Sequence, residues 1–223
     1  TGHALYGHDG LCKNIHGHSY KLFVTVIGKP IIDANHAKNG MVIDFKDLKT
    51  IVKSEIVDIF ENLKKTLPLR VQHHDTKISN VLLHKDSFNG ICVIDLDTLM
   101  PGYFLSDVGD MMRTYLCAYD ENESDLEKIT VREEYFKAIV SGYLSQMVEV
   151  LSSEEKAELL FAGKFILYMQ ALRFLSDYLQ GSVYYPISYP EQNLHRSLNQ
   201  FQLLQSIVEK EKNLEQIIHE CLT

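Results

Sequence analysis

An α+β chain in two unequal parts is what the sequence predicts: a small strand-strand-helix unit, then a mostly helical lobe built around one β-hairpin. Three observations carry this. Residues 19–28, Ser-Tyr-Lys-Leu-Phe-Val-Thr-Val-Ile-Gly, alternate and are rich in β-branched and aromatic side chains, as in a strand. Pro68 ends a helical pattern, because proline disfavours helical geometry at the preceding residue, Leu67. Beyond Pro68, two short apolar runs around a turn signal give way to a long stretch with helix start signals.

Each element follows from its local pattern. After the strand, a polar loop runs to about Gly40, and from Phe45 the apolar residues Leu48, Val52, Ile56 and Ile59 recur at helical spacing, predicting one helix to about Leu63. The junction falls in Lys64-Lys-Thr-Leu-Pro68, which divides the chain into residues 1–63 and residues 64–223 with separate cores. The runs Val81-Leu-Leu83 and Ile91-Cys-Val-Ile94 flank Ser87-Phe-Asn-Gly90, whose Asn89-Gly90 pair signals a hairpin turn. Four helices are expected after it, with start signals at Ser106, at Thr130 with Glu133, at Ser152 with Glu155, and at Asn193. The acidic run Asp120-Glu-Asn-Glu-Ser-Asp125 reads as a solvated spacer.

Composition narrows the function. The 223 residues are 45% hydrophobic, ample for a packed core. No stretch approaches the roughly 18 apolar residues of a membrane span, and Thr1-Gly2-His3 is not a basic segment leading into an apolar run, so export is not expected, a start without Met leaving a removed leader as the alternative. Cys12, Cys92, Cys117 and Cys221 form no C-x-x-C pair, which suits a reducing cytoplasm. A net charge of −8 lacks the clustered Lys and Arg that a nucleic-acid surface needs, leaving small molecules as the expected partners.

The second part carries the sequence His73-His74-Asp75-Thr-Lys77-Ile-Ser-Asn80, followed by Asp95 and Asp97 in Val93-Ile94-Asp95-Leu96-Asp97. Phosphoryl transfer from ATP needs a carboxylate to take the proton of the attacking hydroxyl, and further oxygens to hold magnesium on the phosphates. Asp75, Asn80 and Asp95 supply those groups and are expected to converge on one cleft. Either motif alone is equally well explained by Asp and Asn satisfying backbone groups in turns. Together, with a hairpin between them, they point to a catalytic loop.

This segment resembles the aminoglycoside phosphotransferase family, which includes choline kinases, and within it the N-acetylhexosamine 1-kinases. The residues carrying the resemblance are H-H-D-T-K-I-S-N-V-L-L, C-V-I-D-L-D-T-L-M-P-G, S-D-V-G-D and R-F-L-S-D-Y-L. It implies a protein-kinase-like, mostly helical lobe using ATP and Mg²⁺, with Asp75 as catalytic base and Asn80 and Asp95 as magnesium ligands. By the same resemblance Asp97 would lie next to the metal, Asp107 would brace the catalytic loop and Arg173 would face the acceptor sugar; helix N-capping by Ser106 or Asp107 is an equally physical reading. Arg173 is equally well read as an i,i+4 partner of Asp177. Tyr184 is a weaker sugar-stacking candidate, with core packing as the stronger expectation. Neither G-x-G-x-x-G nor G-x-x-x-x-G-K-[ST] occurs, so no phosphate-covering loop is legible and low activity is expected.

The first part carries His3 and then Cys12-Lys-Asn-Ile-His16-Gly17-His18. Residues two apart on a strand share a face, so His16 and His18 can share a metal with His3 from a neighbouring strand. Three imidazoles leave an open position, as at a catalytic zinc, and a cysteine beside such a cation has a lowered pKa. A solvated histidine-rich loop is the plainer alternative. The pattern, with Gly40-Met-Val-Ile-Asp44-Phe45, resembles the 6-pyruvoyl-tetrahydropterin and 6-carboxytetrahydropterin synthase family. That resemblance implies part of a T-fold, Zn²⁺ on His3, His16 and His18, and a catalytic Cys12. It is placed as ending near Phe60, where Glu61-Asn62 stands in for an Asp-His pair, so pterin turnover is expected to be absent. Three functions follow: a phosphotransferase, a zinc-dependent pterin lyase, or a non-catalytic fusion of two fragments.

Overall fold

The computed structural model describes residues 2–3, 16–17, 29–32, 42–43, 45–54 and 58–223. Contacts divide the chain into two compact units, Thr1–Thr66 and Leu67–Thr223. Its described residues make a helix-rich mixed architecture with three two-stranded antiparallel sheets.

In the first unit, β1 (Gly2–His3) pairs with β2 (His16–Gly17), in a register that sets His3 opposite His16. Two helices follow, α1 (Phe45–Val52) and α2 (Asp58–Thr66), where one helix to about Leu63 is expected. The chain passes into a wider π-type turn at residues 53–54, and Lys53 forms an ion pair with Asp58. The expected strand at 19–28 lies outside the described residues. α2 stops at Thr66, one residue before the position that Pro68 constrains.

In the second unit, β3 (Arg70–Gln72) pairs with β6 (Met100–Gly102), and β4 (Val81–Leu83) with β5 (Gly90–Val93). The second pair is the predicted hairpin, but its turn differs. Gly90 opens β5 opposite Leu83, and the left-handed residue is Phe88, at φ 55°. The His84 amide donates to the Asn89 carbonyl and the Phe88 amide to the His84 carbonyl, so the loop spans six residues rather than a two-residue Asn-Gly turn.

Six helices follow instead of four: α3 (Leu105–Tyr115), α4 (Glu133–Met147), α5 (Ser153–Ala157), α6 (Leu159–Leu179), α7 (Gln192–Glu209) and α8 (Glu211–Leu222). Ser152 and Glu155 form the expected capping box before α5. The other start signals work through tertiary partners. Ser106 lies inside α3 and bonds His74, Thr130 bonds Ser206, and Asn193 lies inside α7 and donates to Asp177.

α6 is long and apolar enough to cross a membrane by length and composition, against the expectation of no such stretch. It is packed between α3 and α7 and buries Leu160, Leu167, Ala171 and Phe174. A fully buried Leu or Phe contributes roughly 1.5–3 kcal/mol. Gly109 explains the glycine of S-D-V-G-D: a Cβ there would meet the Ala162 carbonyl oxygen at 2.4 Å, so only glycine lets α3 lie this close to α6.

Candidate functional site

The loop from His73 to Asn80 is tied on its helical side by Asp107, in the first turn of α3. The Asp107 carboxylate accepts from the amides of His73 (2.9 Å) and His74 (2.7 Å), and its carbonyl accepts from the Thr76 hydroxyl (2.8 Å). These bonds hold His74 at φ 67°, a left-handed conformation that a non-glycine residue rarely adopts. Its Nδ1 bonds the Ser106 hydroxyl at 2.7 Å. Tyr115 donates to the Thr76 carbonyl, and burial followed by the charge of Asp110 pushes its phenol up to about 12. Beneath the loop, Arg70 forks onto Glu155 with two bonds of 2.7 Å. Glu155 is fully buried. Burial pushes its carboxyl up, but the bonds from Arg70 and Ser152 outweigh that and hold it below the usual range.

On the other side, His73 fixes the strand leaving the hairpin. Its Nε2 donates to the Ile94 carbonyl (2.9 Å), which leaves Nδ1 to accept from the Asp75 amide (3.3 Å). The Ile94 amide donates to the Asn80 carbonyl at 2.9 Å. Asp95 follows in a left-handed conformation, at φ 64°.

Within this frame the Asp75 Oδ2 accepts from Asn80 Nδ2 (2.9 Å) and Lys77 Nζ (2.7 Å). Lys77 is held above the ordinary lysine range first by its bond to Asp75, then by the charges of Asp75, Asp95 and Asp110, against an opposing burial effect. Asp75 and Lys77 border a cavity of about 620 Å³, which Arg173 and Tyr184 also line. The structure thus brings three of the sequence-predicted residues, Asp75, Arg173 and Tyr184, to one space. Asn80 is buried behind Asp75, while Asp95 and Asp97 are exposed and do not line the cavity. Of the three residues expected to converge on one cleft, Asp75 lines this cavity and Asn80 bonds Asp75 from behind it. Among the described residues no group of three His, Cys, Asp or Glu side chains is arranged to hold a metal.

Two expectations about the rim are corrected. Arg173 does not pair with Asp177, whose carboxylate instead accepts from the amides of Tyr184 (2.9 Å) and Tyr185 (3.0 Å) and from Asn193 Nδ2 (2.9 Å). Tyr184 is not in the core: it is 71% exposed and stands edge-on to Tyr185 at 4.8 Å. Arg173 reaches Gln170 at 3.4 Å, with its guanidinium 5.7 Å from the Tyr185 ring. Sequence reasoning passed over Lys77, although it stood inside the motif. It also passed over Gln200, which lines the same cavity from α7 and has no motif to mark it.

In the first unit the backbone register pairs His3 with His16. Cys12 and His18 lie outside the described residues. Residues 1–70 match the family described as 6-pyruvoyl tetrahydropterin synthase. The N-terminal region is pterin synthase-like. A 6-carboxy-5,6,7,8-tetrahydropterin synthase of Haemophilus influenzae is 55% identical over 56 residues, covering 25% of this chain and 38% of the relative. The protein of the same name from Rickettsia bellii is 34% identical over 62 residues, covering 28% of this chain and 41% of the relative. The chain thus spans less than half the length of these curated relatives. The family match runs to residue 70, ten residues past the end expected near Phe60. α2 accounts for most of the difference, since its last six residues continue a helix begun at Asp58 in the same unit.

Proposed function

We propose that the chain carries two chemistries, one in each unit. The first unit contributes the opening part of a zinc site of the pterin synthase type, with His3, His16 and His18 as ligands and Cys12 as its acid–base or nucleophilic group. The likeness of residues 1–70 to that family supports this, and so does the register that places His3 opposite His16. Imidazole nitrogens are suitable zinc donors, and bound zinc would polarise a substrate oxygen. The test is elemental analysis of the purified chain. About one zinc per chain is expected, with loss in the double variant His16→Ala/His18→Ala; zinc content unchanged in that variant would overturn the assignment.

The second unit is a small-molecule phosphotransferase lobe that acts on a sugar hydroxyl, an N-acetylhexosamine being the first to try. One observation supports this most: Asp75, clasped by Asn80 and Lys77 on a loop pinned by Asp107, borders the cavity that also receives Arg173 and Tyr184. A hydroxyl bound there gives its proton to Asp75 as its oxygen bonds to the terminal phosphorus of ATP and the bond to the bridging oxygen breaks. Asn80 and Asp95 would hold Mg²⁺, since amide and carboxylate oxygens suit it, and the ion would offset negative charge on the phosphates. The assay is magnesium-dependent ATP consumption by the full chain with N-acetylglucosamine. Asp75→Asn is expected to lower the rate by about 10²–10⁴-fold, and an unchanged rate would remove Asp75 from the chemistry.

A further inference from the structure

The turn that leaves α6 departs from ordinary backbone geometry beside the cavity. Gly181 lies at φ 90° and Ser182 at φ 56°. Residues with a side chain rarely adopt that left-handed region, and they persist there only where the surroundings over-determine them. Two residues further on, the exposed Tyr184 and then Tyr185 line the cavity. What over-determines the turn is Asp177, in the last turn of α6. Its carbonyl accepts from the Ser182 amide at 2.7 Å, and its carboxylate accepts from the amides of Tyr184 and Tyr185 and from Asn193 Nδ2 of α7.

Asp177 is 6% exposed, and among the described residues its donors are uncharged N–H groups. Burying a carboxylate is costly, so where its hydrogen bonds go is informative: two of the three hold consecutive backbone amides at the cavity. The two tyrosines depend on these bonds to different degrees. The Tyr185 ring has its own anchors on α6, with the Phe174 ring at 4.8 Å and Gln170, whose Nε2 donates to the Tyr185 hydroxyl at 3.3 Å. Among the described residues the Tyr184 ring meets one aromatic neighbour, Tyr185. The place of Tyr184 at the cavity is therefore set through its backbone, by Asp177.

We propose that Asp177 is a positioning residue of the acceptor site: it presets the backbone of Tyr184, so that this ring stands at the cavity before the acceptor arrives. This rests on the phosphotransferase reading of the second unit. Ordering a loop and a side chain during binding costs affinity, and a loop already held in its bound form avoids that cost. Asp177 thus acts on acceptor affinity through Tyr184, with no part in proton transfer or in holding the nucleotide.

The experiment is calorimetric titration of the full chain with N-acetylglucosamine and, separately, with magnesium–ATP, in wild type, Asp177→Asn, Tyr184→Ala and the double variant. Asparagine offers one oxygen where the carboxylate offers two, so Asp177→Asn is expected to weaken the sugar about tenfold and to leave magnesium–ATP unchanged. Tyr184→Ala should weaken the sugar by about the same factor. In the Tyr184→Ala background, Asp177→Asn should cost less than about twofold, because the ring it positions is gone. Val140→Ala is the control for lost stability alone: it opens a small cavity in α4, no residue of which lines the site, and should leave sugar affinity unchanged. Unchanged sugar affinity in Asp177→Asn, additive losses in the double variant, or an equal loss in Val140→Ala each overturn the proposal while leaving the phosphotransferase reading, which the Asp75→Asn assay tests separately. Should Asp177→Asn not fold, Ser182→Val disturbs the same turn, because a β-branched residue resists φ 56°. It is expected to reproduce the loss of sugar affinity, and an unchanged affinity overturns the proposal. No binding of any hexose by the wild-type chain overturns both the sugar acceptor and this role of Asp177.

Discussion

The two sides of the segment from His73 to Thr98 are built differently. Its helical side is fixed by bonds from α3: the Asp107 carboxylate takes two backbone amides, and the Ser106 and Tyr115 hydroxyls secure His74 and Thr76. Among the described residues its hairpin side shows no such ties to the helices, and it turns apolar side chains to solvent, with Ile91 62% and Val93 50% exposed. Asp75, on the helical side, is thus held in place by the fold's own core, the preorganisation that the proposed proton transfer would need. Asp95 and Asp97, at the end of the hairpin side, have their backbone placed but their side chains open to solvent. The loop that carries Asp75 is built into the lobe, while Asp95 and Asp97 lie on an exposed surface.

Mutations should reproduce this asymmetry. The largest stability effect is expected for Arg70→Ala, which strands the fully buried Glu155 carboxylate and should cost about 3–5 kcal/mol in urea unfolding. The same pair predicts a pH dependence. Because the folded Glu155 carboxyl is held below its unfolded value, it contributes stability that is fully present above the ordinary glutamate range and lost as pH falls through the lower, folded value. Arg70→Ala should remove this part of the acid sensitivity, so an unchanged stability–pH profile below the ordinary glutamate range would count against the pair. Next, Asp107→Ala removes two charge-assisted bonds and should cost about 2–4 kcal/mol, with faster hydrogen exchange at the His73 and His74 amides. A variant as stable as wild type would mean that the loop is held from elsewhere. The smallest effect belongs to the hairpin: Ile91→Thr should stay within about 0.5 kcal/mol of wild type, and a larger loss would show that this face is covered in solution.

Much of this was legible where the cause is local. The Ser152–Glu155 capping box needs only residues three apart, and the break before Pro68 needs only its neighbour, so both appear as read. The H-x-D-x-x-x-x-N pattern marked the loop, because its spacing sets the clasp of Asn80 on Asp75. Start signals failed where a short polar side chain found a distant partner, as Ser106 did in His74 and Thr130 in Ser206. The Arg173–Asp177 pairing failed for the same reason, since three donors from residues 184, 185 and 193 take the carboxylate. Gln200 carried no signal, for its place beside the cavity depends on which face of α7 meets it. The Asn89-Gly90 signal found the hairpin but missed the turn, because Phe88 takes the left-handed position within a longer loop.

The proposed separation of acceptor and nucleotide sides is tested most directly by titrating the full chain with magnesium–ATP and, separately, with N-acetylglucosamine, in wild type, Asp95→Ala and Arg173→Ala. The two ligands should respond to different variants. Asp95→Ala is expected to weaken magnesium–ATP about tenfold or more and to leave the sugar unchanged, and Arg173→Ala to do the reverse. Loss of both ligands in either variant, or loss of neither in both, would contradict the account.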